Sequence, residues 1–188
     1  MFILCLTSAY IKTDEGKNEL ENLLFSISKD QNTQAIKRLY ELTSSAVYSF
    51  ALSILKNTYD AEDVLQDLYV TVYTSASSYK SQNPMAWLLT ITKNLCLMKI
   101  RSRAKTATVS EEDWLKIALP EDDISLEDKI LINACLTKLT NEERQIVILH
   151  AVSGIKHWEI ANLLDLPIST VLSKYRRALK KLRKMIEE

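Results

Sequence analysis

The sequence predicts an all-α protein: two small helical domains joined by a flexible linker, the second a four-helix domain containing a helix-turn-helix. Three observations carry this. The 188 residues include two glycines and three prolines, too few for the many turns of a compact β protein. Apolar residues recur at helical spacing over two long stretches, 31–104 and 125–188. Between them, 105–124 loses periodicity and carries Thr, Ser, Pro120 and acidic residues, as a linker does. The composition, 47% hydrophobic and 26% charged, is that of an ordinary globular chain, and the length suits one ordinary domain or two small ones.

Residues 1–30 are set apart as an N-terminal extension. Its apolar start lacks a basic n-region and is cut short by Lys12, Asp14 and Glu15, so neither a signal peptide nor a membrane span is expected. A first helix is predicted over 33–56, with Ile36, Leu39, Tyr40, Val47 and Phe50 as its apolar stripe. Asn57-Thr58-Tyr59-Asp60 breaks it. A second helix follows, with Asp60 as a natural N-cap and Val64, Leu65, Leu68, Tyr69, Val72 and Tyr73 facing inward. Asn83-Pro84 opens a third, Asn as N-cap and Pro in the first turn, where a missing N–H costs nothing. Its expected apolar face is Leu88, Ile91, Leu95 and Met98.

The helical pattern returns over 125–139. Thr140 and Glu143 then have the spacing of a capping box, and the helix they open ends at Gly154, a C′ glycine. A short helix over 156–164, the turn Asp165-Leu166-Pro167 and a last helix over 168–186 have the spacing of a helix-turn-helix. Ile160, Ala161 and Leu164 form the buried face of its first helix, and Ser169 and Thr170 open the second, where side chains reach a groove.

The formal net charge is zero, but charge is segregated along the chain. Lys99, Arg101, Arg103 and Lys105 form one basic cluster; Lys174, Arg176, Arg177, Lys180, Lys181, Arg183 and Lys184 form another. An acidic stretch from Glu111 to Asp128 lies between them. This suggests two local polyanion sites and a spacer that offsets them globally. Three widely spaced cysteines, Cys5, Cys96 and Cys135, argue against a disulfide framework and fit a reducing cytoplasm. His150 and His157 complete no obvious metal site, and no cofactor is expected.

Leu139-Thr140-Asn141-Glu142-Glu143-Arg144-Gln145-Ile146-Val147, Glu159-Ile160-Ala161, Pro167-Ile168-Ser169-Thr170-Val171 and Arg177-Ala178-Leu179-Lys180-Lys181-Leu182 resemble the carboxy-terminal domain of extracytoplasmic-function (ECF) sigma factors of bacterial RNA polymerase. Asp60-Ala61-Glu62-Asp63-Val64-Leu65-Gln66-Asp67 resembles the polymerase-binding helix of their other domain. Trp87-Leu88, Ile91 and Asn94, ending in Arg101 and Arg103, resemble the helix that opens and reads the upstream promoter element. The pattern departs at Ser169 and Asp165, where glycine is usual, at Lys174 for arginine, and at Lys156, where a capping Ser or Thr is usual.

The resemblance implies sigma domain 2 over 31–104, an acidic linker over 105–124 and sigma domain 4 over 125–188. It implies a non-enzymatic cytoplasmic factor that binds core RNA polymerase and promoter DNA, with an anti-sigma factor as a further partner and no membrane insertion. On the residues that match, Asp60, Asp63, Gln66 and Asp67 bind polymerase, and the loop over 79–85 holds an extruded base. DNA contacts are Lys93, Asn94, Arg101 and Arg103 in the first domain, and Ser169, Thr170, Ser173, Lys174, Arg176 and Arg177 in the second. The chemistry agrees: Asp60, Asp63 and Asp67 share a helix face, and Lys, Arg, Asn, Ser and Thr are the usual phosphate and base partners.

A stand-alone helix-turn-helix regulator would carry a receiver or ligand domain in front, usually with strands and glycines, which 31–104 lacks. A polymerase adaptor without a DNA role leaves both basic clusters unexplained. An enzyme fits least, for want of a phosphate loop, a metal-spaced cluster or a nucleophile–base set.

Overall fold

A computed structural model describes residues 10–80, 83–106 and 134–187. Among them the regular structure is helical: α1 (Asp14–Asp30), α2 (Thr33–Leu55), α3 (Thr58–Ser75) with a 3-10 turn at Ala76–Ser78, α4 (Pro84–Thr106), α5 (Asn141–Val147) running into a π turn at Ile148–Val152, α6 (His157–Leu164) and α7 (Ile168–Glu187). The linker expected over 105–124 and most of the helix expected over 125–139 lie outside the described residues; 134–137 form one helical turn.

Each of α1 to α5 begins where a short polar side chain can take an orphan N–H. Thr13 caps α1, Asn32 caps α2 and Asn57 caps α3, each accepting from a backbone N–H of the first turn. The expectation that Asp60 caps the second helix is therefore corrected: Asn57 Oδ1 accepts from Asp60 N at 3.0 Å, one turn earlier. Asn83 caps α4 through Met85 N at 3.1 Å, with Pro84 as first helical residue. Thr140 and Glu143 exchange both bonds of the capping box, at 3.3 and 3.0 Å. The ends are set by left-handed residues: Gln31, Lys56 and Asp165, each at φ near +50°, and Gly154 at φ +70°. Asp165 can adopt this geometry where glycine is usual because its short polar side chain tolerates it.

α2 is the hub. It packs against α1, α3 and α4 and, on a further face, against α5 and the π turn. Phe50, Leu39, Leu68, Leu88 and Leu89 are fully buried around it. The stretch set apart as an extension contributes to this core, since Leu20, Leu24 and Ile27 of α1 are fully buried. On α4 the buried face is Met85, Leu88, Leu89, Thr92 and Cys96 rather than the expected Leu88, Ile91, Leu95 and Met98. Ile91 and Leu95 are half-buried, and Met98 is 62% exposed. Thr92 could fill a core position because its hydroxyl donates to the Leu88 carbonyl at 2.9 Å, which hides its polarity from the pattern.

The same apolar cluster continues through Ile146, Leu149, Ile155, Ile160 and Val171, so the two halves share a core; a smaller cluster joins Leu136, Leu139, Val147 and Ala178. Arg144 is the polar keystone of the second half. It is 3% exposed, and its guanidinium donates to the carbonyls of Leu136 at 2.9 Å and Leu139 at 3.1 Å. Substituting Met fills the volume but takes the charged donor from both carbonyls, the Leu136 oxygen keeping the Leu139 N–H at 3.3 Å. Hydrogen bonds to a charged group contribute about 1.5–3 kcal/mol each. Arg144→Met is expected to destabilise the second half by about 2–4 kcal/mol, read as an earlier denaturant transition for α5–α7 than for α1–α4 by hydrogen exchange.

Candidate polymerase and nucleic-acid interfaces

α3 turns its apolar residues onto α2 and α4, which leaves Glu62, Asp63, Gln66 and Asp67 exposed to solvent. Asp60 belongs elsewhere. It is 8% exposed, and its carboxylate pairs with Arg103 of α4 and lies 3.9 Å from Lys99 Nζ. Lys99 also holds Asp63 at 2.6 Å, yet the Asp63 side chain keeps 58% of its surface. The acidic helix and the basic end of α4 are thus stitched together. The predicted residues Asp60 and Arg103 face each other and not a common outside partner. The sequence carried a signal for this: acids at i and i+3 on one helix, and bases at i and i+4 on the next, present matching charges.

The polar face of α4 carries Thr90, Lys93, Asn94, Leu97 and Arg101, as the sequence predicts. Thr90, Asn94 and Arg101 are exposed. Lys93 is not free. Its ammonium donates to the Leu163 carbonyl and to Asp165 Oδ2, both at 2.7 Å. Lys93 sits there at the C-terminal end of α6, where the helix dipole and the last carbonyls favour a cation. It holds the Asp165 carboxyl below the usual carboxylate range by hydrogen bond and charge. Trp87 is half-buried and meets the Tyr79 ring edge-on at 5.6 Å. Burial pushes the Tyr79 hydroxyl up to about 12, with Glu21 adding to it. Residues 81 and 82 of the predicted base-holding loop lie outside the described residues.

In the second half, α6 and α7 cross at the Asp165-Leu166-Pro167 turn, with Leu166 N donating to the Ala161 carbonyl at 3.0 Å. Ile160, Ala161 and Val171 are buried at the crossing. The missing hydroxyl cap at Lys156 is offset from the other side: Glu159 Oε2 accepts the Lys156 N–H at 2.8 Å. Along α7, Ser169, Ser173, Arg176 and Arg177 are exposed and Thr170 is half-exposed, which puts them on a surface a groove can meet. Lys174 is instead drawn to Glu142 of α5 at 2.5 Å, and Lys181 to Glu143 at 2.7 Å. Part of the second basic cluster therefore fastens α7 to α5. Glu143 feels opposing effects: burial raises its pKa, while Lys181 and the Thr140 bonds lower it, and lowering prevails. His150 and His157 stack at 4.1 Å beside Tyr175, as packing residues. Burial and the neighbouring His150 lower the His157 pKa.

An acid-faced helix beside a helix with a polar and basic outer face, followed by a helix-turn-helix, defines the class of two-domain helical initiation factors. The family models agree in order and place: Sigma-70 region 2 matches 39–106 and Sigma-70 region 4 matches 129–182. The chain is similar to an ECF RNA polymerase sigma factor SigK of Mycobacterium sp. (strain KMS), 26% identical over 173 residues, spanning 88% of this chain and 89% of that protein. It is similar to the SigK of Mycobacterium ulcerans (strain Agy99), 25% identical over 178 residues, spanning 90% of this chain and 95% of that protein.

Two solved structures share the fold. One is CnrH in complex with the cytosolic domain of CnrY (22% identity, TM-score 0.61, covering 90% of this chain and 97% of that one). The other is the sigma factor RpoE in complex with the anti-sigma factor NepR from Bartonella quintana (24% identity, TM-score 0.63, covering 80% and 96%). The chain belongs to the ECF sigma factors. It directs promoter recognition at transcription initiation, with core RNA polymerase and promoter DNA as partners, and the family is not enzymatic. Among the described residues no helix is long and apolar enough to cross a membrane.

Proposed function

We propose that the exposed face of α3, Asp63, Gln66 and Asp67, docks on core polymerase, while Thr90, Asn94, Lys93 and Arg101 of α4 open and read the upstream promoter element. The observation that carries this is the separation of the two faces. Asp63 reaches Lys99, which is not among the α4 residues assigned to DNA, and Gln66 and Asp67 stay exposed, so one domain can hold polymerase and DNA at once. Asp60 and Arg103 join the two helices and hold that angle. Ser169, Thr170, Ser173, Arg176 and Arg177 read the downstream-domain element from α7, and Lys174 orients α7 through Glu142. We assign 31–104 and 125–188 as the two functional domains, with 105–124 as their tether and Asp14–Asp30 as part of the first core. The working compartment is the cytoplasm, and a sigma-binding antagonist is a further partner, by analogy with the complex of RpoE with the anti-sigma factor NepR.

DNA opening is tested on the holoenzyme by permanganate reactivity of unpaired thymines. Asn94→Ala and Arg101→Ala are expected to lower the opening equilibrium about thirtyfold together, since each lost contact is worth roughly 1 kcal/mol, with polymerase binding retained. Wild-type opening in the double variant would remove α4 from that role.

A further inference from the structure

Met98 belongs to the apolar face expected of α4, and the fold leaves it outside. Leu88 is fully buried, Ile91 and Leu95 are half-buried and Met98 is 62% exposed, so the stripe rises out of the core toward the basic end of the helix. A single exposed apolar side chain is ordinary on a protein surface. What sets Met98 apart is its neighbours. It lies four residues after Asn94 and three before Arg101, both exposed, and helical spacing puts all three on one face. The other charges at this end of α4 are engaged elsewhere, since Lys99 and Arg103 are drawn to Asp60 and Asp63 of α3. We propose that Met98 is a base-reading residue, which selects a thymine in the upstream promoter element by apolar contact with its C5-methyl group. This deepens the reading of α4 given above and rests on it.

The chemistry of the side chain selects the base. A thioether has no donor and is only a weak acceptor, so it cannot read the hydrogen-bonding edge of a base. The thymine methyl is the apolar group that bases present at their edges, and protein side chains read it by apolar contact. It stays on the base when the strand is opened, so the contact can form on the duplex and persist in the opened state. Met suits the task because it is unbranched and polarizable, and it adapts to an irregular surface. In the free chain its exposed surface gains nothing; burial against a methyl group removes apolar area from water on both sides. Asn94 and Arg101 on the same face supply the polar contacts that fix the register of the strand, and Met98 then discriminates at the position beside them. Losing one such contact costs as much as exposing one methyl group, about fourfold in affinity.

The test uses holoenzyme made with the full chain, on a promoter fragment found by run-off transcription. Each thymine of the upstream element, on either strand, is replaced in turn by deoxyuridine, which pairs in the same way and lacks only the methyl. Affinity is measured for the wild-type chain, Met98→Leu and Met98→Ala, with circular dichroism and co-purification with core polymerase as controls. At one thymine, deoxyuridine is expected to weaken wild-type binding about fourfold. Met98→Leu should keep most of that discrimination. Met98→Ala should bind the thymine promoter about fourfold more weakly and no longer distinguish the two bases. A wild-type holoenzyme indifferent to every replacement, or a deoxyuridine penalty that persists unchanged in Met98→Ala, overturns the thymine contact. Weaker co-purification of Met98→Ala with an unchanged penalty also overturns it and places Met98 against polymerase. The Asn94→Ala/Arg101→Ala variant separates the two levels. If that variant opens poorly while no penalty depends on Met98, the thymine contact falls alone; if it opens like the wild type, the α4 reading falls and the contact with it.

Discussion

Reversing Asp63 and Asp67 together to Lys is expected to abolish stable association with core polymerase while the helices stay folded. Both carboxylates are exposed, and neither belongs to the apolar core, so no core contact is lost. The proposed docking sets this acidic face against a basic surface of polymerase, and like charges opposed across an interface cost several kcal/mol. A loss of at least about 3 kcal/mol, roughly a hundredfold in Kd, follows. Lys99 pairs with Asp63 at 2.6 Å, so Asp63→Lys also sets two cations side by side. Asp67→Lys alone is the cleaner half and should account for more than a tenfold loss. Co-purification with core polymerase, with circular dichroism as the folding control, reads the effect. Asp60→Ala should behave differently. It leaves Arg103 without its carboxylate in a mostly buried position, so thermal stability of the first domain falls before polymerase affinity does.

Arg176→Ala with Arg177→Ala is expected to erase holoenzyme protection of the element farther upstream. Both side chains are exposed on α7 among Ser169, Thr170 and Ser173. A bidentate base contact is worth about 1–3 kcal/mol of discrimination, and each lost phosphate contact lowers the salt slope by about one. The double variant should therefore weaken promoter binding by about 2–4 kcal/mol. Footprinting and a salt titration separate base reading, which relaxes one promoter position, from phosphate contact, which weakens all sequences alike. Lys174→Ala is expected to have a smaller effect on DNA and a measurable one on stability, because Glu142 holds that ammonium.

The helices and the helix-turn-helix were legible in the sequence because their signals are local. Asn83-Pro84, the Thr140–Glu143 box, Gly154 and the Asp165 turn each fix a helix end through a few neighbouring atoms. The polar face of α4 and the acidic face of α3 were legible for the same reason, since helical spacing puts them on one side. What escaped was non-local. Thr92 and Cys96 replaced Ile91 and Met98 in the α4 core because α2 and α3 select the face, and no single-helix pattern records the angle of approach. Asp60 looked like a cap, and its partners Lys99 and Arg103 lie on another helix. Leu20, Leu24 and Ile27 make α1 part of the core although nothing near them in the chain marks a domain start. Lys93 kept the chemistry of a phosphate ligand, and only the fold shows that Asp165 and the end of α6 already occupy it.

Through its α3 face and its α4 and α7 faces, this chain converts core polymerase into a promoter-specific enzyme. Run-off transcription on genomic fragments tests it most directly. Core polymerase alone, core with the wild-type chain and core with the Asp63→Lys/Asp67→Lys chain are compared. Discrete starts are expected with the wild-type chain, sharing sequence elements at a fixed upstream spacing, and none in the other two reactions. Discrete starts that persist with the double variant, or a wild-type chain that yields none on any fragment, would contradict it.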